Sequence, residues 1–306
     1  MAYSYRHPDE EDIWRVYEVM REVAVADERL SDLTEDEMQV AWKLAQLENA
    51  WIVEDTDNTA VAFAGIRARH PTRLRTFSGV VPAHRGRGIG TRLLELLEER
   101  GRELARSAPA GEPVWLSVSA DQSNEDAPPL FERHGFELAR LFWKMGIELD
   151  EEPRAPEIPG GIVFEPMQPG SERAVFDASE EAFRDHWDNV PHDYDEWRAW
   201  MLDREDSDPS VWVIAWDGEE IAGGALNAVE DGEAWVGVLF VRRPWRRRGL
   251  GEALLQASFR EFWKRGVKRA MLGVDAENPT GATRLYERAG MHVLREERMY
   301  RKDVRA

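Results

Sequence analysis

The sequence predicts an α/β (α+β) fold of two tandem domains, each a mixed β-sheet flanked by helices. The first observation is a short glycine loop that occurs twice, with Arg85 and Arg246 as its first residues, 161 positions apart. The second is a later match in the same order, between LFERHGF at 130–136 and LYERAGM at 285–291, 155 positions apart. Two matches in one order indicate an internal repeat. A chain of 306 residues has room for two domains of about 150 residues, each large enough for a hydrophobic core.

Both halves follow the same order of elements: strand, helix, an acidic and aromatic helical region, three strands, the glycine loop with its helix, and then strand, helix and strand. In the first half, strands are predicted at residues 3–6, 51–54, 61–67, 76–81 and 114–119, and helices at residues 9–25 and 91–104. In the second half, strands are predicted at residues 162–165, 211–216, 221–228, 233–241 and 270–274. Helices are predicted at residues 171–182 and, after the glycine loop, from about residue 252.

A linker is predicted between the halves. Residues 148–161 (ELDEEPRAPEIPGG) concentrate acidic residues, proline and glycine between two apolar patterns. We therefore expect an N-terminal domain at 1–150, a linker at 151–161 and a C-terminal domain at 162–306.

Composition limits the partners. The formal net charge is −19, whereas nucleic-acid binding needs a basic face, so we expect no nucleic-acid partner. The charge is compatible with a cationic acceptor such as an amine, or with a solvated acidic surface. No apolar run approaches the roughly 18 to 20 residues of a membrane helix, and the N-terminus lacks signal-peptide order. We expect no membrane partner and a cytoplasmic location.

Cysteine is absent, which excludes disulfides, thiolate metal sites and a cysteine acyl-enzyme. His186 and His192 lack the spacing and the carboxylate neighbours of a common zinc motif. No metal site is expected, and acyl transfer would proceed directly from a thioester to the acceptor.

The glycine loops predict an anion site. Each lies between a strand and a helix, where backbone N–H groups have no intrahelical acceptor and the helix dipole is positive. Glycine lacks the Cβ that would keep a diphosphate away from these donors, and arginines add positive charge. The loop residues are Arg246, Arg247, Arg248, Gly249, Leu250 and Gly251 in the second half, and Arg85, Gly86, Arg87, Gly88, Ile89 and Gly90 in the first.

These loops resemble the acetyl-CoA signature of the GCN5-related N-acetyltransferase (GNAT) superfamily: Arg or Gln, two residues, Gly, one residue, then Gly or Ala. Arg246, Gly249 and Gly251 fit it, as do the corresponding Arg85, Gly88 and Gly90. The tandem arrangement resembles the mycothiol-synthase-like group of that superfamily. The resemblance covers nearly the whole chain and implies acetyl-CoA as the cofactor, but it says little about the acceptor.

The resemblance also implies roles outside the loops. The end of the strand before each loop would pair with the pantetheine arm and polarise the thioester carbonyl, and an asparagine after the next strand would contact the cofactor. The residues at these positions are Leu239, Phe240, Val241 and Asn278 in the second half, and Val80 and Val81 in the first.

Tyr286 is the predicted catalytic acid. A phenol with a pKa of about 10 stays protonated at neutral pH and can donate to a leaving thiolate whose conjugate acid has a pKa near 8.5. A tyrosine at this place has that role in the family. Phe131 stands at the matching position of the first half and has no proton to donate. The second domain is therefore predicted to be catalytic and the first degenerate or regulatory.

Glu233 is the predicted base. It stands at the start of the strand that leads to the second loop, where the family often has a carboxylate that acts through water, although it lies further from the loop than is usual. Asp185 and Glu230 are alternatives, and a water chain without one dominant base is a further possibility.

The acceptor pocket is predicted after the first helix of the second half, where this fold covers the acceptor side. Asp185, His186 and Trp187 are the predicted substrate-binding residues, because acidic and aromatic side chains alternate there and suit a cation. In residues 194–200, Trp197 and Trp200 have helical spacing that is more typical of core.

The predicted function is acetyl-CoA-dependent N-acetylation of the primary amine of a small molecule, by direct attack on the thioester. One alternative is a non-catalytic acyl-CoA sensor, favoured by Phe131 and opposed by Tyr286. Another is a tandem relative that transfers from aminoacyl-tRNA, opposed by the net negative charge and the two intact loops. The identity of the amine and the oligomeric state stay open.

Overall fold

A computed structural model describes residues 2–27, 33–230, 232–278 and 281–305. The chain divides into two compact units, which we call unit 1 (Met1–Leu141 with Glu297–Ala306) and unit 2 (Phe142–Glu296). Each combines a mixed sheet with helices, which confirms the predicted fold class.

The elements follow the predicted order. The strands are β1 (Ser4–Arg6), β2 (Ala50–Glu54), β3 (Ala60–His70), β4 (Arg73–Val80), β5 (Trp115–Asp121), β6 (Glu137–Glu148), β7 (Ile162–Glu165), β8 (Val213–Asp217), β9 (Glu220–Glu230), β10 (Glu233–Val241), β11 (Arg269–Asp275) and β12 (His292–Asp303). The α-helices are α1 (Ile13–Ala26), α2 (Glu35–Lys43), α3 (Ile89–Ala105), α4 (Ala127–Arg133), α5 (Glu172–Phe183), α6 (Tyr194–Met201), α7 (Leu250–Lys264) and α8 (Ala282–Arg288).

The two sheets have matching strand pairs. In unit 1, β1 to β4 form antiparallel neighbours in sequence order, and β4 pairs with β5 in parallel. In unit 2, β7 to β10 are antiparallel neighbours, and β10 pairs with β11 in parallel. Each parallel pair is connected through a glycine-started helix, α3 or α7, as parallel neighbours require a crossover.

The last strand of each sheet comes from the other half of the sequence. Residues 142–148 of β6 pair with β11 in unit 2, and residues 297–303 of β12 pair with β5 in unit 1. The compact units therefore do not coincide with the predicted ranges 1–150 and 162–306. A local apolar pattern predicts that a segment is a strand, but it does not say which sheet the strand completes.

Helices cover both faces of each sheet. In α3, the buried side chains Ile89, Leu93 and Leu97 recur along one face and pack into the unit 1 core. In unit 2, α7 packs into one core cluster and α5 into another. None of the helices in the described ranges is both long and apolar enough to span a membrane.

A buried carboxylate fixes the final strand to unit 1. Glu98 on α3 accepts hydrogen bonds from Arg102 Nη2 (2.6 Å) and from Lys302 Nζ (2.7 Å) on β12, and its other oxygen lies 3.0 Å from His134 Nδ1. Burial raises the pKa of the Glu98 carboxyl, but Lys302, His134 and Arg102 together lower it below its usual value. The carboxylate therefore stabilises the fold above its unfolded-state pKa, and this contribution is lost as the pH falls.

We expect Lys302→Met to lower the free energy of unfolding by about 2 to 3 kcal/mol, because it leaves a buried carboxylate without one of its charged donors. Chemical denaturation at pH 7 measures this. The matched control is Lys264→Met, which removes an exposed pair with Glu261 (3.5 Å) worth at most about 1 kcal/mol. Equal losses in the two variants would contradict a role for Lys302 in holding β12.

Candidate active site

The two glycine loops have the same backbone shape. Gly88 and Gly249 are the N-caps of α3 and α7, with left-handed φ angles of 83° and 81°, and neither helix start has a side-chain cap. A Cβ at either position would meet no described atom within 4 Å. The first N–H groups of both helices therefore have no side-chain cap, and an uncapped glycine-started helix is an arrangement that suits a diphosphate.

One loop position differs between the units. Gly86 and Arg247 occupy equivalent places, with φ angles of 71° and 61°. A side chain in this left-handed conformation costs about 1 to 2 kcal/mol. Unit 2 thus has the same loop conformation, with the charged side chain of Arg247 at the position where unit 1 has glycine.

The parallel strands of unit 2 part early. β10 and β11 pair only at Ala234 with Ala270 and at Trp235 with Met271. The pairing of β10 with β9 then shifts register between Val236 and Val238, which marks a β-bulge at Gly237. Beyond this point the β11-facing edge of β10 has backbone groups available to an extended ligand.

Glycines flank the gap where β10 and β11 separate. Gly237 is the bulged residue of β10, and a Cβ on Gly273 of β11 would meet no described atom within 4 Å. Glycine inside a strand is typical of a place where a ligand approaches the backbone closely. We call this gap the opening of unit 2.

Unit 1 has a counterpart of this opening between β4 and β5. β4 and β5 pair at Arg73 to Arg75 and then separate, but β4 keeps a continuous register with β3 from Arg75 to Val80. The Thr76 hydroxyl donates a hydrogen bond to the Ser117 carbonyl (2.9 Å) across the two strands. Ser119 stands two residues before the end of β5, where unit 2 has Gly273.

The residues before each loop lie at the end of a strand. Leu239 to Val241 pair with β9, which leaves their other edge toward the opening. Leu239 and Val241 pack toward α7, and Phe240 is buried toward α5. In unit 1, Val80 ends β4 and the Val81 N–H donates to the Val61 carbonyl (2.9 Å).

The predicted asparagine lies at the turn after β11. The Asn278 N–H donates to the Asp275 carbonyl (3.0 Å). Asn124 makes the same contact with Asp121 (3.0 Å) in unit 1. Residues 279 and 280, which follow Asn278, lie outside the described part of the chain.

Tyr286 and Phe131 occupy equivalent places on α8 and α4. Both are 8% exposed. Phe131 lies against Tyr300, with 5.5 Å between the ring centroids, inside the unit 1 core. Burial raises the pKa of Tyr286 to about 12, and no residue in the described ranges forms a hydrogen bond with its hydroxyl. The proton is therefore held at all physiological pH values.

Glu233 lies at the paired start of β10. Its carboxylate is 3.5 Å from Nη1 of Arg269, and Nε of the same arginine donates to Glu148 (2.7 Å). At 3.3 Å per residue, Glu233 is roughly 10 Å along the strand from Val236, where the opening begins. The structure thus brings it near the opening but not to the loop. The side chain of the alternative Glu230 lies outside the described residues.

The predicted acceptor residues follow α5. Asp185 is held by Arg243, whose Nε lies 3.0 Å from Oδ2, and by Arg246 at 3.7 Å. His186 packs on Phe183, with ring centroids 4.4 Å apart, and Trp187 is half-buried beside it. The pKa of His186 is lowered by burial and by the nearby Arg246, so its imidazole is neutral at neutral pH.

The neighbouring helix α6 contributes to the core. Trp197 lies 5.4 Å from Phe176 and 6.2 Å from Trp212 between ring centroids. This packing agrees with the core interpretation of its helical spacing. Among the described side chains, no group of three His, Asp or Glu residues is arranged to hold a metal ion.

The sequence predictions do not include three residues of the site, Gly237, Gly273 and Asn124. The repeat offers a signal for Asn124, which follows Asp121 by three residues as Asn278 follows Asp275. The bulge at Gly237 depends on the register with β9 and has no local signal of that kind.

A cavity of about 400 Å³ adjoins the unit 1 loop. Its lining includes Gly88, Gly90, Asn124 and Phe131, together with the ion-paired Asp27 and Arg85. Unit 1 therefore combines a diphosphate-type loop with a cavity whose inner wall contains phenylalanine at the place of Tyr286.

Two parallel strands that part beside a glycine-started helix are the arrangement that the resemblance to the acetyltransferase superfamily implies. Comparison with known proteins identifies the family. The model described as "Acetyltransferase (GNAT) family" matches residues 12–136 and 173–291. The chain belongs to this family, is an acetyltransferase, and contains the family domain twice.

Known relatives agree. "Mycothiol acetyltransferase" of Saccharopolyspora erythraea is 32% identical over 68% of this chain and 70% of its own length. The protein of the same name from Streptomyces scabiei is 31% identical over 80% of this chain and 77% of its own. The crystal structure of a GCN5-related N-acetyltransferase from Sphaerobacter thermophilus has a TM-score of 0.81 and 36% identity, over 99% of this chain and 96% of that one. A tandem GNAT protein from the clavulanic acid biosynthesis pathway shares the fold, with a TM-score of 0.72, 17% identity and 99% coverage of both chains.

We expect Tyr286 to stay un-ionised up to about pH 11, because burial raises its pKa to about 12. The absorbance difference at the phenolate band between the protein and Tyr286→Phe, recorded by rapid pH jump, should remain flat through that range. A transition near the ordinary value of about 10 would show that the phenol is solvated.

Proposed function

We propose that unit 2 transfers an acetyl group from acetyl-CoA to the primary amine of a small molecule, by direct attack. The observation that carries the proposal is the opening between β10 and β11, which lies between the Gly249 loop and the helix of Tyr286. When bound, acetyl-CoA supplies the activated thioester.

The residues of unit 2 fit this cofactor. The uncapped start of α7 and the absence of a Cβ at Gly249 suit a diphosphate. The free edge of β10 from Val236 to Val241 suits the amides of the pantetheine arm, which would extend the sheet as an added strand. Arg247 and Arg248 are exposed in the loop and add positive charge beside the diphosphate site.

Tyr286 acts as the proton donor to the leaving thiolate. In water a phenol has a pKa about 1.5 units above that of a thiol, so donation would be mildly unfavourable. Burial raises the pKa of Tyr286, but a thiolate formed in the same desolvated place is also disfavoured, which keeps the two acidities close. The buried phenol therefore donates a hydrogen bond throughout departure without losing its proton to solvent.

Glu233 accepts the amine proton through water. Its position about 10 Å from the opening excludes direct contact and leaves room for bridging water. The neighbouring Arg269 offsets part of the carboxylate charge, which limits how much that charge would favour the ammonium form of the acceptor. The neutral imidazole of His186 is a second acceptor for the same proton.

The acceptor is proposed to bind between the opening and the segment after α5. His186 and Trp187 provide a half-buried wall there. The relatives are named for acetylation of mycothiol, which supports a small-molecule acceptor. The resemblance does not choose among amino sugars, polyamines, aminoglycosides and peptide amino termini.

Unit 1 is proposed to bind CoA without turnover. Its loop and cavity support binding, while Phe131, which has no proton to donate, opposes chemistry. Thiol release from acetyl-CoA with a panel of amines tests the activity. Because the chain has no cysteine, a thiol reagent reports the released CoA without reacting with the enzyme. No release with any amine class would contradict the proposed function.

We expect Gly249→Val to abolish most turnover and Gly88→Val to retain most of it. The two glycines are a matched pair, since both have φ near 80° and both face open space, so valine strains the two loops alike. Blocking one charge-assisted hydrogen bond costs about 1.5 to 3 kcal/mol, or roughly 10- to 100-fold in affinity. Initial rates and melting curves for both variants provide the test. An inactive Gly88 variant beside an active Gly249 variant would reverse the assignment of the catalytic unit.

We expect Tyr286→Phe to reduce the single-turnover rate by about 10² to 10⁴ while the Kd of acetyl-CoA stays unchanged, because only a positioned proton donor is lost. Tyr300→Phe is the control, since Tyr300 is also a buried tyrosine, 4% exposed, but lies in the unit 1 core. Rapid-quench measurements with saturating substrates isolate the chemical step. A Tyr286→Phe enzyme as fast as the wild type would remove Tyr286 from the mechanism.

A further inference from the structure

The side chain of Arg246, the first loop residue of unit 2, points back into the protein. Its Nε donates to the Val241 carbonyl (3.0 Å) at the end of β10, and its Nη2 donates to the Ala182 carbonyl (2.8 Å) near the end of α5. Nη1 lies 3.7 Å from Asp185, which also accepts a closer contact from Nε of Arg243 (3.0 Å). All three nitrogen atoms of the planar guanidinium are therefore directed at protein groups.

Unit 1 repeats the arrangement with different residues. Arg85 Nε donates to the Val80 carbonyl (2.9 Å) at the end of β4. Its Nη2 lies 2.9 Å from Asp27, a buried carboxylate just after α1. Each loop arginine thus joins the end of the preceding strand to the end of the first helix of its unit.

We propose that Arg246 and Arg85 are positioning residues that clamp the diphosphate loops, and that Asp185 and Asp27 serve as the counter-charges of these clamps. The proposal rests on the proposed function only for the identity of the ligand. It differs from a role as phosphate ligand, in which the guanidinium would be directed at the bound anion. It also assigns to Asp185 a place in the loop support in place of acceptor binding.

The geometry explains what arginine contributes at this position. The two carbonyls accept from different nitrogens of one rigid fork, so that strand end and helix end are fixed relative to each other. Ala182 lies near the C-terminus of α5, where the helix dipole favours a cation. A lysine would retain the charge but offers a single ammonium on a flexible stem, which cannot reproduce both bonds in one geometry.

Hydrogen exchange without ligand tests the clamp directly. In Arg246→Gln and Arg246→Lys, we expect backbone amides of residues 242–252 to exchange about tenfold faster than in the wild type, because local opening of the loop becomes easier. Arg85→Gln should accelerate residues 82–91 in the same way. Unchanged exchange in these segments would overturn the proposal, and so would an acceleration spread evenly over unit 2, which would indicate general destabilisation.

Calorimetry with CoA gives the second readout. We expect Arg246→Lys and Arg246→Gln to weaken CoA binding by similar factors of about 10 or more, since both lose the fork. Arg248, an exposed arginine of the same loop, is the charge control: Arg248→Lys should bind CoA better than Arg248→Gln. Wild-type affinity in Arg246→Lys with a loss only in Arg246→Gln would identify Arg246 as a phosphate ligand and overturn the clamp.

Asp185→Asn completes the test. We expect weaker CoA binding with an unchanged KM for the amine, and no further loss when Asp185→Asn is added to Arg246→Gln, which has already lost the guanidinium. Asp203→Asn, which removes an exposed pair with Arg198 (3.1 Å), is the control. A raised amine KM with unchanged CoA affinity would return Asp185 to the acceptor site. Failure of the wild type to bind CoA would instead contradict the proposed function and leave the exchange result to decide the clamp.

Discussion

The site of unit 2 depends on where two parallel strands stop pairing. β10 leaves β11 after Trp235, and the bulge at Gly237 follows at once. A bulge bends its strand and increases the local twist, which adds to the separation of β10 from β11 while β10 stays paired with β9. The carboxyl ends of β10 and β11 therefore stand apart, and the Gly249 loop and the Asn278 turn, which follow those two ends, lie on either side of the gap.

The exchange of terminal strands couples the two halves of the sequence. The helix that contains Tyr286 leads into β12, whose later residues complete the unit 1 sheet, and the helix that contains Phe131 leads into β6, which completes the unit 2 sheet. Tyr300 pairs with Val118, 182 residues earlier in the chain. Contacts of such long sequence separation form late, because loop-closure entropy must be overcome first. Unit 1 therefore completes its sheet only when the end of the chain is available.

Local pattern predicted most of the fold and part of the site. Comparison of short segments across the repeat predicts the glycine loops and their flanking strands and helices. It also predicts that Tyr286 and Phe131 occupy equivalent positions. The partners of β6 and β12 could not be predicted, since an apolar alternation specifies a strand and not its neighbour. Nor could the bulge at Gly237, which depends on register with β9. The contacts of Arg246 with Ala182 and Asp185 join segments about 60 residues apart.

The comparison of the two units separates binding from chemistry. Diphosphate binding depends on backbone N–H groups at a left-handed glycine, and both units retain that geometry at Gly88 and Gly249. In the proposed mechanism, proton transfer and access to the thioester depend on side chains at the opening, and there the units differ. Unit 1 has Phe131 for Tyr286 and a hydrogen bond from Thr76 to the Ser117 carbonyl across the strands. The geometry of the loop does not depend on the side chains at the opening, so one copy of the fold can lose the residues for chemistry and keep a binding site. If a copy lost the loop instead, Tyr286 would have no positioned acetyl donor to protonate.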